Sequence, residues 1–427
     1  MSSQSTEMRR GTRASLSLEP NMNLTLLLDL DNTLLDSSMD TFLPAYFQAL
    51  SGFLKDRVEP ELMLGALMVG MRKMMANVDP THTLQEVFDS EFFPKVGMAR
   101  EELQPFFDQF YKEVFPSLSY LTNPRPEAIE MIGWALERGI RLAIATNPLF
   151  PQSAIHHRMR WAGLPPEEIH FSVVSAYETF HFAKPNPAYF AEVLGRMGWP
   201  EGPVVMVGDD IERDLPGSFA LGLPTYWIDA SKTKAPAGID LAGRGSIADL
   251  RPWLESADLS TLEPAFSTPE SLIALLLSTP AVVSGLLIRL MKWGQAGGPV
   301  LKRRPVNNEW SLTEILCHLR DTELEINLPR LRMLLELEEP FIPARDSDSW
   351  ALTRDYQNQE ASQALDEFCS ARIKTVELLR SLGDEWKRKA RHAIFGPTDL
   401  QELVKFMAEH DKLHIRQIRL TVEHLSG

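Results

Sequence analysis

The sequence predicts two folds in one chain: an α/β doubly wound parallel sheet with a helical cap insertion, followed by a C-terminal all-α four-helix bundle. Three observations point there. Short, near-continuous apolar runs alternate with helical stretches from Leu24 to about Leu254, as in a parallel sheet covered on both faces. After Thr268 the strand signal vanishes and four long helical patterns follow. Two carboxylates, Asp29 and Asp31, stand one residue apart where the first apolar run ends. The carboxyl end of a strand is where such sheets bind ligands.

Each element follows in order. Residues 1–22 are rich in Ser, Thr and Arg and lack an apolar core, so they read as a disordered tail rather than a secretory signal. The first strand is 24–29 (LTLLLD). Residues 37–120 read as helices, and an insertion of that length is a subdomain, not a loop. Its Met63, Met68, Met71, Met74 and Met75 form a stripe that reads as helix core in preference to a pocket lining. Strands at 141–146, 171–174, 203–208 and 225–229 complete a domain over 23–256. Residues 257–269 link it to a bundle over 270–427, with helices at about 270–293, 311–337, 360–382 and 398–425. Ser311 to Glu314 and Thr398 to Gln401 fit the capping box that starts a helix. The uncharged stretch 271–288 is interrupted by Pro280 and reads as a buried bundle helix, not a membrane span.

Composition narrows the function. At 427 residues, 44% hydrophobic and 24% charged, the chain is ordinary for a soluble protein of two or three domains. Residues 271–427 carry 21 Lys+Arg against 22 Asp+Glu, so nearly all of the formal charge of −15 lies in the first half. That excess argues against nucleic-acid binding. The only cysteines, Cys317 and Cys369, build no disulfide framework, which fits a reducing, cytoplasmic compartment.

The chemistry-bearing segments are Asp29-Leu30-Asp31-Asn32-Thr33, Ala145-Thr146-Asn147, Ala183-Lys184-Pro185 and Gly208-Asp209-Asp210-Ile211-Glu212-Arg213-Asp214. At the Asp29–Asp31 spacing one carboxylate can attack and the other can handle a proton on the same substrate. In this order and at these strand ends, the four segments resemble the haloacid dehalogenase-like hydrolase superfamily over about 22–256. The resemblance implies Asp29 as a nucleophile forming an aspartyl-phosphate, and Asp31 as acid and then base. It implies that Thr146 donates to phosphoryl oxygens and that Lys184 neutralises charge near the nucleophile. It also implies Mg²⁺ held by Asp29, Asp209 and the backbone carbonyl of Asp31, with Asn147, Asp210 and Asp214 in support. Dehalogenases of this superfamily lack the acid at the position of Asp31, so its presence favours phosphate-ester hydrolysis of a small phosphorylated metabolite.

The bundle adds His318, and His410 with His414. The last two are four residues apart and share one helix face, which suits either a solvated surface or two ligands of a metal. The segments 310–321 (WSLTEILCHLRD) and 395–414 resemble the DinB-like metal-binding bundle superfamily over about 270–424. That likeness implies His318, His410 and His414 as ligands of a second divalent metal, Zn²⁺, Ni²⁺ or Fe²⁺, with Asp321 and Asp411 as supporting partners. Cys317 points away from His318 and makes a poor nucleophile. Two alternatives follow: the bundle as a metal- and thiol-dependent transferase beside an auxiliary first half, or as a non-catalytic module for a homodimer.

Overall fold

A computed structural model describes residues 22–229, 234–293, 297–306, 309–347 and 349–426. The expected tail, apart from Met22, lies outside them.

The chain enters through β1 (Thr25–Leu28), whose four residues are all buried. β2 (Leu35–Ser37) then pairs antiparallel with β3 (Thr122–Pro124), closing the base of the insertion. Between them lie α1 (Met39–Leu54), α2 (Pro60–Met75), α3 (Leu84–Val96) and α4 (Arg100–Gln109). The α3 start shows how sequence sets a boundary. Thr83 and Glu86 bond each other's backbone amides in a capping box, and Gly97 ends the helix at φ +68°. The methionine stripe divides: Met63 and Met74 are core, whereas Met68 and Met75 are exposed.

Beyond the cap come α5 (Pro126–Glu137), β4 (Arg141–Ile144), α6 (Gln152–Trp161), β5 (Val173–Val174), α7 (Pro187–Arg196), β6 (Val204–Gly208), α8 (Leu215–Leu221), β7 (Thr225–Ile228), β8 (Gly243–Gly245) and α9 (Ile247–Ser256). The six-stranded sheet has order β5-β4-β1-β6-β7-β8 and every pairing in it is parallel. β1 is therefore the switch point, with later strands added on both sides, and its carboxyl end opens a crevice.

The second half starts with α10 (Pro269–Trp293) and the short α11 (Gly297–Leu301). α12 (Leu312–Thr322) continues through a π-turn into α13 (Leu328–Glu336). After β9 (Phe341–Ile342) and α14 (Trp350–Thr353) come α15 (Ala361–Arg380), β10 (Lys389–His392), β11 (Gly396–Asp399) and α16 (Leu400–Ser426). The bundle is thus not free of strands, as the sequence reading expected. β9, β10 and β11 form a small sheet, too short to leave a period-2 pattern. The second expected capping box also moves by one residue. Thr398 lies inside β11, and Asp399, the last residue of that strand, exchanges the capping bonds with Glu402.

The two halves share a core. α10 is apolar enough by length and composition to cross a membrane, yet most of it is buried inside this protein. It packs on α7 because Gly195 carries no side chain; a Cβ there would meet Val282 at 2.5 Å. On the other side α16 reaches over, with Arg416 donating to the carbonyls of Gly198 and Trp199 at 3.2 and 2.9 Å.

Candidate active site and metal centre

Strand register brings the first site together. Leu28 pairs with Ile144 on one side and Val207 on the other. Asp29 is the next residue, and its amide donates to the Val207 carbonyl at 2.9 Å. Thr146 and Asp209 therefore lie just past the ends of the neighbouring strands. Lys184 arrives from the loop before α7. Its Nζ donates to Asp29 Oδ1 at 2.8 Å and to Asp214 Oδ1 at 2.5 Å, and the lysine is 2% exposed. Burial disfavours its charge, but Asp214 and Asp29 outweigh that and hold the ammonium protonated well above its ordinary range.

Asp29, Asp209 and Asp214 offer carboxylate oxygens within 4.8 Å of one another. Burial pushes the Asp209 pKa up to about 8, and the neighbouring Asp29, Asp214 and Asp210 act in the same direction. A hard divalent cation relieves such crowding, and all-oxygen donors with room for water suit Mg²⁺. Thr33 Oγ1 donates to Asp209 at 3.5 Å, and the Trp227 indole donates to the Asp209 carbonyl at 3.0 Å.

The remaining expected residues divide. Thr146 is buried, and its carbonyl accepts from Tyr189 and Ser175 at 2.7 and 2.6 Å. Asn147 accepts from the Lys184 amide at 3.2 Å and so holds the lysine loop. Asp214 sits inside the site. Asp210 instead braces the turn, accepting from the amides of Glu212 and Arg213. The Asp31 side chain leaves the carboxylate group and accepts from Ser37 at 2.8 Å and from Arg158. Its pKa is raised by burial, against the opposing pull of Arg158.

Sequence reasoning overlooked Arg158. It is 1% exposed, lies 4.7 Å from the Phe42 ring and 5.6 Å from the Phe150 ring, and pairs with Asp31. The signal was present: Ala154, Ile155 and Met159 mark the inner face of α6, and Arg158 falls on that face.

In the bundle, α12 and α16 bring three imidazoles together. His318 Nε2 lies 3.1 Å from His410 Nε2, which lies 3.2 Å from His414 Nε2. Burial, and then the neighbouring imidazoles, lower the pKa values of His318 and His410 to about 3. Both are thus neutral near pH 7 and present ring nitrogens that a borderline metal takes. His414 is oriented through Nδ1 by Gln417 at 3.0 Å, and Trp310 stacks parallel to its ring at 6.2 Å. The expected carboxylate support is not what the structure places there. Asp321 is engaged by Arg320, Arg354 and Tyr356, and Asp411 by Arg372 and Thr279. Among the described residues, the Nδ1 atoms of His318 and His410 have no hydrogen-bond partner. Cys317 is buried, donates to Gln359, and has its pKa pushed up to about 11 by burial. That is unsuited to a nucleophile.

Comparison with known proteins agrees with this division. Residues 24–222 match the haloacid dehalogenase-like hydrolase family, and residues 297–418 match the DinB superfamily. The chain therefore joins a haloacid dehalogenase-like hydrolase domain to a DinB-superfamily domain. It is 28% identical over 139 residues to a phosphoserine phosphatase of Thermus thermophilus, covering 33% of this chain and 52% of that protein. It is 29% identical over 133 residues to a phosphoglycolate phosphatase of Mesorhizobium japonicum, covering 31% of this chain and 55% of that protein. The chain thus spans about half the length of these curated relatives. The solved structure of YfiT from Bacillus subtilis, described as having an unusual four-helix bundle topology, is 19% identical with a TM-score of 0.33, covering 38% of this chain and 91% of that one.

Proposed function

We propose that the chain is a Mg²⁺-dependent phosphomonoesterase working through an aspartyl-phosphate, with a second divalent metal held by the bundle. The observation that carries the first part is the buried Lys184, bonded at once to Asp29 and Asp214 beside Asp209. The names of the two phosphatase relatives lend support. Asp29 and Asp209 would hold Mg²⁺, which would supply positive charge against the phosphoryl oxygens.

The chain's own residues do the rest. An Asp29 carboxylate oxygen attacks phosphorus as the ester P–O bond breaks. Asp31, whose burial favours the protonated form, gives its proton to the departing alkoxide oxygen. Lys184 offsets the charge that gathers on the transferring group. Asp31, now ionised, takes a proton from water as that water attacks phosphorus. Inorganic phosphate leaves, and Asp29 is regenerated. Arg158 and Ser37 hold the Asp31 carboxylate through both halves.

The test is Asp29→Asn, assayed for phosphate release from phosphomonoesters with added Mg²⁺. Turnover is expected to vanish while the circular dichroism spectrum and melting temperature remain near wild type. Hydrolysis at the wild-type rate would reject the assignment.

For the bundle, the convergence of three imidazoles, with His318 and His410 neutral near pH 7, favours a metal centre for Zn²⁺, Ni²⁺ or Fe²⁺ over a purely structural module. We further propose a cytoplasmic protein acting on small phosphorylated metabolites.

A further inference from the structure

Between the cap and the sheet lies a cavity of about 40 Å³ whose lining includes Tyr46, Leu67, Met71, Met74, Phe88 and Phe150. The cap is fastened over it. Leu84 and Gln85 donate backbone bonds to the carbonyls of Phe180 and Tyr177, and Asn77 bonds the His181 carbonyl. Among the described residues, no lysine, arginine or histidine lines this space. Its one charged group is Asp89, paired with Arg100 at 2.9 Å.

The cavity adjoins the chemistry. Phe150 follows Thr146 by four residues, and its ring centroid is 5.3 Å from that of Tyr46. The same Phe150 ring faces the Arg158 guanidinium, which holds Asp31. The group that protonates the leaving oxygen and the apolar wall thus share one arginine, and that arginine is already taken by Asp31.

We infer that this cavity receives the leaving group, so that the preferred substrate is the phosphate monoester of an uncharged, apolar alcohol rather than a phosphorylated hydroxy acid or amino acid. The inference rests on the phosphatase reading above. A leaving group bearing a carboxylate would be buried beside Asp89 with no free cation to meet it, which is costly. An alkyl or aryl group would gain from leaving water. The present space is small, and the thioether side chains of Met71 and Met74 are the adaptable part of its wall.

The test uses the full chain with Mg²⁺ and measures kcat/KM for methyl, ethyl, propyl and butyl phosphate beside 2-phosphoglycolate and O-phosphoserine. Along the alkyl series the ratio is expected to rise by about fourfold per methylene, or about 60-fold overall. The two carboxylate-bearing esters should be at least tenfold poorer than butyl phosphate. A flat alkyl series, or preference for either carboxylate-bearing ester, overturns the cavity assignment while leaving the phosphatase reading intact. No turnover of any ester, including p-nitrophenyl phosphate, overturns both. Met71→Arg, which puts a cation into the wall, should shift preference toward 2-phosphoglycolate by tenfold or more. An unchanged ratio in the folded variant also counts against the assignment, and if that variant does not fold, the alkyl series on the wild-type protein decides.

Discussion

Replacing Arg158 by methionine isolates the control of Asp31. Methionine fills similar space beside Phe42 and Phe150 with an apolar side chain and removes the guanidinium that lies over their rings. In the native site two effects oppose each other: burial raises the Asp31 pKa, and Arg158 is the largest influence lowering it. A contacting opposite charge is worth roughly 1–3 pKa units, and each unit corresponds to about 1.36 kcal/mol. Without Arg158 that opposing pull is lost and the Asp31 pKa rises further. In the proposed mechanism transfer of phosphorus to Asp29 needs the protonated acid, so the basic limb of kcat/KM against pH should move up by about 1–3 units. In the same mechanism hydrolysis of the aspartyl-phosphate needs the ionised base, so where that step limits turnover, kcat on the acidic side should fall. The assay is a pH series from 5 to 10 with an alkyl phosphate, run beside p-nitrophenyl phosphate, whose leaving group needs no proton. Only the alkyl ester should show the shifted basic limb. Because Asp31 can take up a proton, the stability loss should stay below the ~3–5 kcal/mol of a stranded buried charge. A folded variant with an unmoved basic limb would refute the coupling of Arg158 to Asp31.

Other perturbations have equally definite expectations. Lys184→Met should lower kcat by about 100- to 1,000-fold, as loss of one electrostatic contact to a transition state does. It should also cost about 3–5 kcal/mol in urea unfolding, because Asp29 and Asp214 lose their shared cation; turnover within tenfold of wild type would contradict the role given to it. In the metal-free protein, His318 and His410 are neutral when folded down to about pH 3, whereas an unfolded histidine protonates near 6.5. Between those values the unfolded state binds more protons, so stability falls as pH drops from about 6.5 toward 3. The loss amounts to about 2 kcal/mol per histidine at pH 5. His318→Ala should flatten that part of a urea-midpoint series against pH, and a series that stays steep would contradict it. Zn²⁺ or Ni²⁺ at 100 times its dissociation constant should add about 2.7 kcal/mol at pH 7, read as a raised melting temperature that chelator removes. No shift with either ion in the wild-type protein would argue against a bundle metal.

Much of the scaffold was set by local pattern. The apolar runs that became β1, β4, β6 and β7 are written in consecutive residues, and so is the placing of Asp29, Asp209 and Thr146 at or just past strand ends. His410 and His414 share a face because an α-helix turns every 3.6 residues. Only the tertiary structure decided who meets whom. Asp31 faces an arginine 127 residues away, and Lys184 joins a carboxylate just past β1 to one at the start of α8. Asp321 and Asp411 serve arginines instead of histidines. The strands β9 to β11 and the core shared by α7 and α10 likewise left little mark on local periodicity. The physical reason is that backbone periodicity constrains only neighbours along the chain. A buried charge takes as partner whichever opposite group the packing of remote elements brings within hydrogen-bond reach.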